Sequence, residues 1–245
     1  MTTTPTADTH ATDTTLVVSE VFGPTVQGEG PSLGVVASFV RLSGCNLACA
    51  WCDAAYTWDA DRFDLRQELQ RVPVAEILTT VESHRAGMVV ITGGEPLLHQ
   101  KQHGWDLLLD GLAAMGRRIE VETNGTVRPT RRSVLMVDAF NVSPKLGHSH
   151  LFEAKRINPL ALREFNASGK AVFKVVCRTA DDVDEVASLT VDHDIPSRLV
   201  WIMPEGRSAS VLADVSRRII DRALHYRFNF TPRLHIHLWG DERGH

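Results

Sequence analysis

Short apolar runs, each closing on a small polar motif and most followed by a helical pattern, set the frame of this chain. Residues 35–42 (VVASFVRL) lead into a loop that holds Cys45, Cys49 and Cys52; 88–91 close on TGGEP, 118–122 on ETNG, 134–142 on SPK and 199–203 on PEG. Further strands are expected at 171–177 and, last, at 234–238. Helical patterns occupy 73–84, 105–115 (closed by Gly116), 181–189 and 208–225; in the first, Val74, Ile77, Leu78 and Val81 fall at helical spacing. This alternation predicts an α/β fold with a mostly parallel sheet, curved toward a partial, irregular (β/α) barrel. Such folds bind ligands at the C-terminal strand ends. The polar motifs collect there, so they are expected to share one site.

The chain has 245 residues, 43% of them hydrophobic and 23% charged, which suits a single domain with a full core. That domain is expected over 16–245. Residues 1–15 are Thr-rich and nearly free of apolar side chains, so they are expected to be a disordered tail. The net charge of −4 gives no general basic surface for nucleic acid. No apolar run reaches membrane-spanning length, and residues 1–15 are not expected to act as a secretory leader. Clustered thiols without such a leader point to a reducing cytoplasm. Residues 145–158 carry little apolar periodicity and read as a mobile loop.

Cys45, Cys49 and Cys52 form a C-x3-C-x2-C array, and Cys177 lies far downstream. Three thiolates on one loop suit a soft metal centre. A [4Fe–4S] cluster normally takes four cysteines, so three would leave one iron open to a chelating small molecule. Three ligands plus water would also suit catalytic zinc, and buried free cysteines are a third reading.

Other residues offer themselves to the same strand edge. QGEG at 27–30 combines the freedom of Gly28 and Gly30 with the amide of Gln27 and the carboxylate of Glu29; alone it would pass for a surface turn. Arg41 can pair bidentately with a carboxylate, or be a plain strand-end charge. Gly93 and Gly94 allow close backbone approach to a ligand, with Glu95 a polar partner, while Pro96 suits a helix start. Ser143 and Lys145 can reach an anion or a ribose, Glu122 can face the pocket or cap its strand, and Trp51 can shield the loop from water. His235 and His237 would share one face of a final strand; His148 and His150 are expected in solvent.

TGGEP and the cysteine spacing resemble the radical S-adenosylmethionine (SAM) superfamily. With QGEG, Arg41, WCD, ETNG and SPK, the chain resembles, from about residue 20 to 244, the 7-carboxy-7-deazaguanine synthase family. The resemblance implies a radical SAM partial barrel with a [4Fe–4S] cluster on Cys45, Cys49 and Cys52. It implies SAM contacts at Trp51, Cys52, Asp53, Gly93, Gly94, Glu95, Ser143, Pro144 and Lys145. It implies a pterin substrate at Val26, Gln27, Gly28, Glu29, Arg41, Thr92, Glu122 and His237. The implied reaction takes a hydrogen atom from 6-carboxy-5,6,7,8-tetrahydropterin, contracts its ring, releases ammonia and regenerates SAM. It serves queuosine or another 7-deazapurine pathway. A homodimer and a flavodoxin or ferredoxin electron donor are also implied. The family usually has a Ser or Thr that helps bind Mg2+ after the WCD aspartate; here Ala54 stands there. The chain also runs on through LWGDERGH, where some members end on a carboxylate used for substrate. The competing readings are a glycyl-radical activase, an iron–sulfur electron carrier and a zinc-stabilised binding module.

Overall fold

The computed structural model describes residues 14–245. The expected disordered tail lies outside these residues, apart from its last two positions. Strand β1 (Thr15–Val26) pairs antiparallel with β2 (Val36–Leu42) and with β3 (Gln70–Pro73). From β2 onward the neighbours are parallel: β4 (Met88–Gly93), β5 (Arg118–Thr123), β6 (Ala139–Val142), β7 (Ala171–Cys177), β8 (Val200–Pro204) and β9 (Asn229–Phe230). The sheet runs β3-β1-β2-β4-β5-β6-β7-β8-β9 and does not close on itself. The expected mostly parallel partial barrel is therefore present.

Parallel strands are covered on both faces, so apolar residues fill both. One face is the main core, where Leu42, Ile91, Val121, Phe140 and Phe173 pack with Trp105 and Phe165 under the helices. Those helices include α2 (Val74–His84), α3 (His103–Ala114), α6 (Pro159–Ala167), α7 (Ala180–Asp192) and α8 (Ala209–His225), with the short α1 (Leu65–Glu68) at the periphery. Several of their starts are set by side-chain caps. Thr179 and Asp182 make a reciprocal capping box on α7, and Ser208 accepts from Val211 N on α8. The other face has a small apolar cluster of Ala37, Phe39, Met88 and Val90. Because side chains alternate along a strand, that face continues through Arg41 on β2, Thr92 on β4, Glu122 on β5, Asn141 on β6 and Lys174 on β7. It changes from apolar to polar toward the C-terminal strand ends.

Four expectations are corrected. Residues 134–142 are not one strand. Thr130 caps a helix, α4 (Arg131–Met136), by accepting from Ser133 N, and only β6 is extended. Residues 234–238 are not a strand but part of α9 (Leu234–Trp239); its alternating histidines imitated a strand period. The 145–158 segment is not a free loop. It contains a 3-10 turn (Gly147–Ser149) and α5 (Glu153–Arg156), and buried Arg156 ties it down through Lys145 O at 2.7 Å and Glu185 at 2.9 Å. His148 is buried within it, 3.2 Å from Asp182, whereas His150 is exposed as expected.

Candidate active site

β2 delivers the cysteine loop onto the end of β4, and TGGEP fastens it there. Gly94 N donates to Leu42 O at 3.2 Å and Glu95 N to Gly44 O at 2.8 Å. A Cβ on Gly93 would lie 2.0 Å from Leu42 O, so both glycines are required by the loop packed on them. Both also line the cavity. Glu95 does not. It is fully buried, accepting from Leu97 N at 3.0 Å, Thr123 Oγ1 at 2.9 Å and Asn124 N at 2.7 Å. Burial pushes its carboxyl up to about 7 despite these donors. Its expected contact with cofactor is corrected to a brace: it holds the ETNG turn against the loop, and Asn124 Nδ2 in turn reaches Cys45 Sγ at 3.9 Å.

Cys45, Cys49 and Cys52 all line one cavity of about 410 Å³. Leu47 N donates to Cys45 Sγ and Trp58 Nε1 to Cys52 Sγ, each at 3.4 Å. Burial pushes the Cys45 thiol up to about 11 and raises Cys49 and Cys52. A bound metal must therefore displace protons. Among the described residues, no three His, Cys, Asp or Glu side chains gather around one point to hold a single ion. The donor set fits the cluster, with three soft ligands, N–H donors on two sulfurs and open cavity beside them. Cys177 is wholly buried among the core residues and takes no part.

Beside the thiols, Lys145 Nζ donates to Ser143 Oγ at 2.9 Å and lies 5.3 Å from the Trp51 ring centre. Trp51, Asp53, Ser143 and Lys145 line the cavity, whereas Pro144 is buried behind it. Ala54 reaches the wall but offers no side-chain oxygen.

The opposite wall holds interlocked charges. Lys174 Nζ lies 2.5 Å from Glu29 Oε2 and 3.0 Å from Glu122 Oε1. Arg233 donates to Glu29 at 3.0 Å, to Asp53 at 2.5 Å and to Gly206 O at 2.8 Å. Thr92 Oγ1 donates to Glu122 at 2.9 Å and Gln27 Nε2 at 3.4 Å. Burial opposes the charge on Glu29, but Lys174, Arg233 and His235 outweigh it and hold its carboxyl well below the usual carboxylate range. Burial likewise opposes the charge on Lys174, and Glu122 and Glu29 raise its ammonium instead. A Cβ on Gly28 would lie 2.1 Å from His235 Nδ1, and Leu234 N donates to Gly28 O at 2.8 Å. QGEG is thus locked onto α9.

Arg41 donates through Nε to Glu20 Oε1 at 2.7 Å, which also accepts from Tyr56 OH at 2.6 Å. Its terminal nitrogens make no hydrogen bond among the described residues; the guanidinium lies 5.7 Å from the Phe22 ring centre, and the residue lines the cavity. The C-terminal segment closes over this corner. Arg243 stacks on Tyr56 at 3.5 Å and pairs with Glu68, Asp241 pairs with Arg207, and His245 stacks on Trp239.

Val26, Gln27, Gly28, Glu29, Arg41, Thr92 and Glu122 all line the cavity. His237 does not; it is exposed, and His235 lines the wall instead. On a helix, residues two apart point to nearly opposite sides. Lys174, Arg233, Glu20 and Tyr56 escaped sequence reading. Lys174 had a signal, being a lone charge inside the apolar run AVFKVVC.

A family description for the radical SAM superfamily matches residues 39–158. The chain is 39% identical to the 7-carboxy-7-deazaguanine synthase of Pyrobaculum aerophilum over 93% of this chain and 96% of that protein. It is 37% identical to that of Hyperthermus butylicus over 93% and 94% respectively. The crystal structure of QueE from Escherichia coli superposes with a TM-score of 0.69 at 24% identity, covering 94% of this chain and 100% of that one, and so shares its fold. With these relatives, and with the cysteine triad bordering one cavity at the strand ends, the chain belongs to the 7-carboxy-7-deazaguanine synthase family.

Proposed function

We propose that this chain converts 6-carboxy-5,6,7,8-tetrahydropterin to 7-carboxy-7-deazaguanine with release of ammonia. The observation that carries the reading is that the thiol triad and the Gln27–Glu29–Arg41–Glu122 wall face one cavity. Cys45, Cys49 and Cys52 would hold the cluster, which together with SAM would supply radical hydrogen-atom abstraction from the substrate. The chain contributes position and exclusion of water. Lys145 and Ser143 offer donors for the SAM carboxylate or ribose, and Trp51, Cys52, Asp53, Gly93 and Gly94 line its place. Arg41, with its free terminal nitrogens, takes the substrate carboxylate. Glu29, Glu122, Gln27 and Thr92, with Val26 and Gly28, take the pyrimidinone edge; His235 replaces His237 there.

Mg2+ is at most a weak accessory, because Ala54 supplies no oxygen and the ion would rest on substrate and water. A cytoplasmic homodimer served by a flavodoxin or ferredoxin is the working assembly. Among the described residues no helix is long and apolar enough to cross a membrane. The product enters queuosine or another 7-deazapurine route.

The test is anaerobic turnover of reconstituted protein with dithionite, SAM and 6-carboxytetrahydropterin, read by mass spectrometry. Formation of 7-carboxy-7-deazaguanine, abolished in Cys49→Ala, is the expected result. SAM cleavage with untouched pterin would remove the substrate assignment and bring the activase forward. A stable cluster without SAM cleavage would favour an electron carrier.

A further inference from the structure

Lys174 is 4% exposed and sits at mid-strand on β7, where a charge costs most. It bridges carboxylates that arrive from two distant segments, Glu29 from the QGEG turn and Glu122 from β5. Both carboxylates line the cavity. Two carboxylates held around one point disfavour each other's ionisation, and the shared ammonium offsets that. A pterin presents an amino group and a ring N–H side by side on its pyrimidinone, and a carboxylate matches that pair only when ionised, since a protonated carboxyl gives up an acceptor.

We propose that Lys174 is a positioning residue that holds Glu29 and Glu122 side by side and charged, making them a two-carboxylate receptor for the amino-pyrimidinone edge. The inference rests on the pterin reading above. The groups facing this ammonium are Glu29 and Glu122, with Gln27 and Thr92 on Glu122 and Arg233 on Glu29. Asp53 lies beyond Arg233, and His235 is 3.9 Å from Glu29. Asn141 and Glu120, joined at 3.1 Å, lie one layer below. Burial, together with Arg233 and Lys174, lowers His235 against the pull of Glu29 and Asp53.

The test compares Lys174→Gln with the unsubstituted enzyme, taking the ratio of kcat/KM for 6-carboxytetrahydropterin from pH 6.5 to 9. The ratio cancels the substrate's own ionisation. Glutamine keeps a donor and removes the charge. At pH 6.5 the variant should lose roughly 10- to 100-fold, carried mainly by KM. The deficit should shrink as pH rises and strips the shared proton. Lys174→Arg should stay near the unsubstituted profile. A ratio equal at every pH, or no loss at all, overturns the proposal. If Lys174→Gln does not fold, Lys174→Arg decides: a flat profile near unity supports the receptor, and a pH-independent loss overturns it. An unsubstituted enzyme that cleaves SAM but spares the pterin overturns the substrate reading and this one with it.

Discussion

Gly94 lies so close to Gly44 that a Cβ on it would sit 2.2 Å from the Gly44 carbonyl oxygen and 2.9 Å from Cys45 Cβ. Gly94→Ala must therefore push the cysteine loop off the end of β4. The expected cost is about 1–3 kcal/mol in denaturant unfolding. Iron retained per chain after anaerobic reconstitution should fall with it. Full iron content in the variant would show that the loop has slack the packing denies it.

Glu20 fixes Arg41 from behind and leaves its terminal nitrogens for the cavity. In Glu20→Ala the guanidinium is no longer held, and KM for the carboxylated pterin should rise about tenfold with kcat little changed. Tyr56→Phe, which removes the second donor to Glu20, should act in the same direction more weakly. Binding of a pterin without the 6-carboxylate should be indifferent to both changes; an equal loss there would refute a carboxylate role for Arg41.

Glu95 titrates near pH 7 in the folded chain because it is buried. Its folded value lies above the unfolded one, so the native state holds the proton more tightly. The stability this contributes is complete below about pH 4.5 and is lost as pH rises through 7, a swing of about 3 kcal/mol. Unfolding free energies measured across that window should carry this slope, and Glu95→Gln should flatten it. A slope that survives the substitution would assign it to other groups.

Ala54 lacks the oxygen that a hydroxyl residue would present to Mg2+. Chelation with EDTA should change turnover by no more than about twofold. Ala54→Thr should restore a dependence on added Mg2+, read as a fall in KM with the ion. Strong stimulation of the unsubstituted enzyme by Mg2+ would contradict this.

Much of the site was legible because its residues follow apolar runs. In a parallel sheet the residue after such a run stands at the ligand-binding edge, and Thr92, Glu122 and the cysteine loop obey that rule. His237 misled because HIH has a strand's alternation within a six-residue helix, too short for its helical period to assert itself. Residues 145–158 looked free because their anchors are single long-range polar contacts, among them Arg156 to Glu185 and Gly147 N to Glu185 at 3.0 Å, which leave no periodic trace.

By itself the sequence determined the central strands that alternate with helices, the strand edge that carries chemistry and the three thiols on one loop. Each of these is a local pattern of apolar spacing or ligand count, readable within a few residues. The tertiary structure decided which charges meet: Lys174 with Glu29 across 145 positions, Arg233 with Asp53 across 180, and Arg41 with Glu20 across two antiparallel strands. It also decided that Glu95 braces the loop from behind the cavity wall. Partner choice among buried charges depends on distances of a few ångström between segments that only the folded sheet brings together, because Coulomb and desolvation terms change steeply over that range.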